Sequence, residues 1–150
     1  MSIKEKLRVD LTEAIRSRNA ITSGTIRMVL TAITNEEVAG KEMRILSDDE
    51  VITVLSREAK KRREAEQAYE SAGRADKAAL EKAEGEVISA YLPEQLSLDE
   101  IKKLIADAIA STQASGPADM GKVMGAVKPL IAGKADGSLV STLVKESLSK

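Results

Sequence analysis

The chain reads as an all-α protein: an N-terminal helical domain with a long helical hairpin, followed by a C-terminal domain of three helices. Three observations predict this. Apolar residues recur three and four positions apart through most of the 150 residues, which is the period of one face of an α-helix. Two Ser-x-x-Glu spacings, Ser47 to Glu50 and Ser97 to Glu100, mark helix starts at which each side chain satisfies a free backbone donor. Apolar residues make up 43% of the chain and aromatics only 1%, so the core must be built from Ala, Leu, Ile, Val and Met, a palette that favours helices.

Taken in order, Ile3, Leu7, Leu11, Ala14 and Ile15 form the stripe of a first helix. The stretch Asn19 to Gly24 interrupts the pattern, and Ile26, Val29, Leu30 and Ile33 restart it, which predicts two antiparallel helices. Gly40 and the polar residues after it lead to a third helix that opens at Ser47 and turns Val51, Val54, Leu55 and Ala59 inward. Beyond Arg57 its apolar positions shrink to Ala65, Ala68, Tyr69 and Ala72. Gly73 marks a turn, and Ala79, Leu80, Ala83, Val87, Ile88 and Tyr91 form the returning stripe. Small alanines let two helices approach closely, so residues 48–92 are expected to form a hairpin with its tip near Gly73, Tyr69 and Tyr91 serving as packing residues.

Tyr91-Leu92-Pro93 is the predicted boundary, giving domains 1–93 and 94–150. Proline disfavours helical geometry at the residue before it, and the Ser97 box restarts a helix immediately. Leu98, Ile101, Leu104, Ile105, Ala108 and Ile109 are the apolar face of the fifth helix, which ends in the turn from Thr112 to Gly116. Pro117 suits a first helical position, and Asp119 is placed to cap free amides. Met120, Val123, Met124, Val127 and Ile131 line the sixth helix, in which Pro129 predicts a kink or an early stop. Gly133 suits the position just past a helix end, Asp136 suits a cap, and Leu139, Val140, Leu143, Val144 and Leu148 are expected inward on a seventh helix.

The composition excludes much chemistry. With no cysteine and no histidine, thiol nucleophiles, disulfides, imidazole bases and nearly every transition-metal site drop out. No phosphate-binding glycine loop and no nucleophile elbow is present. Catalytic residues, cofactors and metals are accordingly all expected to be none. No segment approaches the ~20 apolar residues of a bilayer span, and the N-terminus has no signal-like apolar run, so a cytoplasmic protein without membrane contact is the expectation. A net charge of -1 gives no general grip on nucleic acid, and any RNA contact must be local.

Three places carry residue choices more specific than generic helix. Gly121 and Gly125 lie on one side of the sixth helix; tight packing against the fifth or seventh helix is the expected reason, and close approach of a partner backbone is the alternative. Around them Lys122, Lys128, Lys134, Lys145 and Lys150 stand against Asp119, Asp136 and Glu146, five cations to three carboxylates over 117–150, a net of +2. In Gly133-Lys134-Ala135-Asp136-Gly137, an Asp136 cap would leave the amides of Gly137, Ser138 and Leu139 near the Lys134 ammonium, an arrangement able to hold a phosphate oxygen. The plainer reading is a glycine-terminated helix followed by a capped one. In the run Arg57 to Arg63, Glu58 to Arg62, Lys60 to Glu64 and Arg62 to Glu66 are i, i+4 pairs, which leaves Lys61 and Arg63 the least neutralised of the secondary patch Lys60, Lys61 and Arg63. No aromatic lies in that run to stack on a base.

Leu92-Pro93-Glu94-Gln95-Leu96, the stretch Asp119 to Gly125, and Gly133 to Gly137 with Leu139 and Val140 resemble the GatB/YqeY family. Asp119 to Glu146 is similar to the C-terminal tail domain of the GatB subunit of tRNA-dependent amidotransferases, and the whole chain looks like a stand-alone YqeY protein. It departs from the family at Ile26-Arg27-Met28, where a leucine often stands beside the arginine. The resemblance implies a module associated with tRNA or other RNA, with Lys122, Lys128 and Lys134 as phosphate contacts. Its alternative is an interaction module docking on an amidotransferase or an aminoacyl-tRNA synthetase. Carbon–nitrogen ligase activity with glutamine as amido donor is a label the resemblance brings without its catalytic residues, because the ammonia-releasing and activating sites belong to larger domains.

Overall fold

The computed structural model describes residues 1–150 and is all-helical: α1 (Ile3–Arg16), α2 (Ala20–Glu37), α3 (Asp48–Ser71), α4 (Ala75–Ser89), α5 (Leu98–Thr112), α6 (Met120–Ile131) and α7 (Gly137–Leu148), with a single 3-10 turn at Pro117–Asp119. Its contacts divide into two units, Met1–Leu92 and Pro93–Lys150.

In the first unit, α3 and α4 form an antiparallel hairpin whose turn passes through Gly73 at φ +73°, a left-handed conformation that glycine adopts without a Cβ penalty. α1 and α2 pack together, and both also contact the hairpin. The core is Leu7, Ile26, Val29, Ile33, Leu46, Val51, Val54, Leu55, Ala59 and Ile88. Reciprocal caps open α3 at Ser47/Glu50 and α5 at Ser97/Glu100, and Ser2/Glu5 does the same for α1. That third box has the same spacing and was legible in the sequence.

Several expectations are corrected. The break between α1 and α2 covers only Ser17 to Asn19, because the Asn19 carboxamide accepts the Thr22 amide at 3.1 Å and starts α2 at once; Gly24 is inside the helix. Ile15 faces solvent. The buried stripe of α4 runs through Ala78 and Ile88, while Leu80 is 47% exposed and Ala79 lies on the outside. Tyr91 ties the end of α4 to α1: its hydroxyl donates to Asp10 Oδ2 at 2.5 Å, and Lys6 lies over its ring. Burial and the Asp10 carboxylate both push the Tyr91 phenol upward, and the Tyr91 hydroxyl in turn holds Asp10 below its ordinary range.

The second unit packs three short helices around Ile101, Ile105 and Ala108 of α5, Val123, Val127 and Ile131 of α6, and Val140, Val144 and Leu148 of α7. Each set follows the spacing of one helical face. Leu98 and Leu139, expected inward, are 48% and 42% exposed; both sit in the first turn of their helices, ahead of the buried row. Pro129 lies inside α6, which stops two residues later at Ile131. Gly133 follows at φ +73°, and the Asp136 carboxylate accepts the Ser138 amide at 3.0 Å to open α7.

Candidate nucleic-acid interface

The sequence from Asp119 to Gly137 builds one exposed helix face and the turn beyond it. Val123, Val127 and Ile131 point α6 into the core, and the opposite face carries Gly121, Gly125 and Lys128, related as i, i+4 and i+7. The expected packing of the two glycines against α5 or α7 is not what the structure has. Both are exposed, and a Cβ built on either would meet nothing within 4 Å. At Gly125, inside α6, glycine costs roughly 0.5–1 kcal/mol relative to alanine, and no neighbouring side chain recovers that cost; Gly121 lies in the first turn of α6, where the cost is smaller. Met120 and Met124, on the apolar face as expected, pack against the core.

The lysines differ in their surroundings. Lys122 lies 3.7 Å from Asp119 Oδ1, so its charge is partly offset. Asp119 does not cap α6 as expected: its Oδ2 accepts from the Ser115 amide at 2.9 Å and from the Ser115 hydroxyl at 3.3 Å. These bonds, the amide first, hold its carboxyl below the ordinary range. Lys128 and Lys134 are exposed and have no carboxylate within ion-pair distance. The amide cradle expected beyond Lys134 is reduced, because the Ser138 amide is taken by Asp136; Gly137, at the first position of α7, stays exposed. The Gly133 and Lys134 carbonyls are held from the other side, by Gln95 Nε2 at 2.8 Å and the Leu96 amide at 2.9 Å. Two of the most distinctive motifs in the sequence therefore meet at this turn.

The secondary patch on α3 is more neutralised than the sequence suggests. Lys61 pairs with Glu58 at 2.9 Å, Lys60 is also partnered, and Arg63 is the exposed cation without a carboxylate near it. The expected Glu58–Arg62 pair is present, but Arg62 does more than pair along its own helix. Arg62, with a side chain only 17% exposed, reaches across the hairpin to Glu81 at 3.3 Å and Glu84 at 3.4 Å, lies 3.7 Å from Glu58, and donates to Met28 Sδ of α2 at 2.9 Å. A signal for it existed: Leu55, Ala59 and Arg62 continue one helical stripe at i, i+4 and i+7, and Ala78, Glu81, Gly85 and Ile88 continue the facing one. Glu37 is a second buried charge. It is 1% exposed, pairs with Lys4 at 2.6 Å, and accepts the Leu46 amide at 3.3 Å; the Lys4 ammonium holds its carboxyl below the ordinary range despite burial.

No helix is long and apolar enough to cross a membrane. The chain is similar to the altered inheritance of mitochondria protein 41, mitochondrial, of the fungus Pyrenophora tritici-repentis (strain Pt-1C-BFP), at 28% identity over 144 residues, covering 94% of this chain and 78% of the relative. The family model for the Yqey-like protein matches residues 4–148. That match runs through both units, from the first turn of α1 to the last residue of α7, and so the chain belongs to the YqeY-like family.

Proposed function

We propose that this protein is a non-catalytic RNA-associated module, with tRNA as the RNA class, and that it contacts the phosphate backbone through the exposed face of α6 and the turn after it. The observation that carries this reading is the open space over Gly121 and Gly125, flanked by Lys122 and Lys128. A helix that exposes glycines without a packing reason lets a bulky backbone come close, and flanking ammonium groups favour a phosphate backbone. Lys128 and Lys134 contribute most, because no carboxylate competes for them, and Lys122 less, because Asp119 does. No aromatic residue occurs after Tyr91, so base stacking is not available to this unit and recognition is largely blind to sequence.

The test is tRNA binding as a function of salt. About three phosphate contacts give a slope of log affinity against log salt of roughly -2 to -3. The triple variant K122E/K128E/K134E abolishes binding and keeps its helical signal. If K60E/K61E/R63E loses tRNA while the C-terminal triple variant retains it, the assignment is wrong. The second reading, an interaction module docking on an amidotransferase or aminoacyl-tRNA synthetase, is favoured by Leu98, Leu130 and Leu139, three large apolar side chains 42–50% exposed on this unit. A protein partner held by them would be lost on L130K or L139K and indifferent to salt.

A further inference from the structure

Where α6 ends at Ile131, the chain must reverse and leave carbonyl oxygens without helical partners. The amides of Lys134 and Ala135 turn back to Ile131 O, at 2.8 and 3.2 Å. The carbonyls of Gly133 and Lys134 point the other way, to the segment that enters this unit. Leu96 N–H donates to Lys134 O at 2.9 Å, and Gln95 Nε2 donates at 2.8 Å to both Gly133 O and Pro93 O. Both acceptors are carbonyls, which only accept, so the carboxamide must present its nitrogen to them. That single group uses its two hydrogens to tie Pro93 to Gly133. Leu96, next to it, packs on the C-terminal core. Leu96 is thus the anchor of the strap and Gln95 its exposed fastening.

We propose that Gln95 is a positioning residue for Lys134: by fastening the Pro93–Leu96 strap to the Gly133–Lys134 turn, it sets the backbone from which Lys134 projects and couples that lysine to the order of the strap. The RNA reading above supplies only the ligand for this idea. Coupling of this kind is reciprocal. A phosphate held by Lys134 stabilises the fastened turn, and the fastened turn presents Lys134.

The experiment uses the full chain, hydrogen exchange resolved to single amides, and bulk tRNA as the probe. In Q95E a carboxylate faces two carbonyl oxygens, so the Leu96 amide exchanges about tenfold faster, while core amides of Val127 and Val144 exchange as in the wild type. Q95K restores slow exchange, because an ammonium can donate to both carbonyls, whereas a position that merely fills space would not be rescued. Bulk tRNA slows Leu96 exchange in the wild type. Q95E and K134Q each weaken tRNA binding about threefold, and the double variant is no weaker than either, the signature of one shared contact. Unchanged Leu96 exchange in Q95E, or losses that multiply in the double variant, overturns the proposal. If the wild type binds no tRNA, the RNA reading fails alone, and the Q95E and Q95K exchange rates decide whether the fastening exists.

Discussion

Gly85 and Gly125 both sit inside helices, one in each unit, and their surroundings are opposite. A Cβ on Gly85 of α4 would lie 3.5 Å from Arg62 Cβ of α3, whereas one on Gly125 of α6 would touch nothing. The same contrast holds for charge. The first unit draws charge inside, where Glu37 and Glu58 are buried and Arg62 is half-buried among Glu58, Glu81 and Glu84. The second unit has an aliphatic core with no buried charged or polar residue, and its charges lie on the surface. Gly85 and Arg62 of the hairpin therefore lie where two helices meet, while Gly125 and Lys128 of α6 face solvent. Residue type and helical position do not distinguish these cases; only the neighbouring element does.

Six substitutions put this comparison to the test. The largest effect is expected in the first unit from Lys4→Met, which leaves the Glu37 carboxylate buried without its cation. Removing one partner of a buried pair costs about 3 kcal/mol, read as a lower midpoint in urea. The pH dependence follows. Because Lys4 holds the Glu37 pKa down, that stabilisation is full above the unfolded glutamate pKa of about 4.3 and fades as pH falls through the lower folded value. Lys4→Met flattens that acid limb; an unaltered acid profile would show that Glu37 is not the titrating group.

Gly85→Leu comes next, forcing a branched side chain against Arg62 Cβ, and overpacking of this kind costs roughly 1–3 kcal/mol. Gly125→Leu, made in parallel, should show no comparable loss. Equal destabilisation of the two variants, measured by thermal unfolding, would erase the distinction drawn between the glycines. In the second unit Asp136→Ala removes the acceptor of the Ser138 amide and costs about 1 kcal/mol, seen as fraying of the first turn of α7 by hydrogen exchange.

The smallest effect has the opposite sign. Gly125→Ala should stabilise by roughly 0.5–1 kcal/mol, since the added methyl meets nothing and alanine is the better helix former, and Gly121→Ala, in the first turn of α6, should stabilise by less. If the glycines are kept for close approach of RNA, the same variants bind tRNA more weakly while melting higher. Stabilisation with undiminished tRNA affinity would leave the glycine face without the role proposed for it.

Local sequence signals were enough for the elements themselves. The all-helical class, the caps at Ser47, Ser97 and Asp136, the turn at Gly73, the helix end at Gly133 and the aliphatic rows from Val51 to Ala59 and from Val123 to Ile131 all follow from spacings within one or two turns, because capping and face periodicity act over that range. The family, too, was legible from short motifs at Pro93, Gly121 and Gly133. What the tertiary structure alone decided is the use of each residue that the pattern leaves open. Arg62 is drawn between α3 and α4 by carboxylates 19 and more positions away, Gln95 finds the Gly133 carbonyl 38 positions on, and Gly121 and Gly125 face open space because α5 and α7 both pack on the other side of α6. Such outcomes depend on which helix lies opposite, a question settled by burying apolar area over the whole unit and by pairing most of the polar groups enclosed with it.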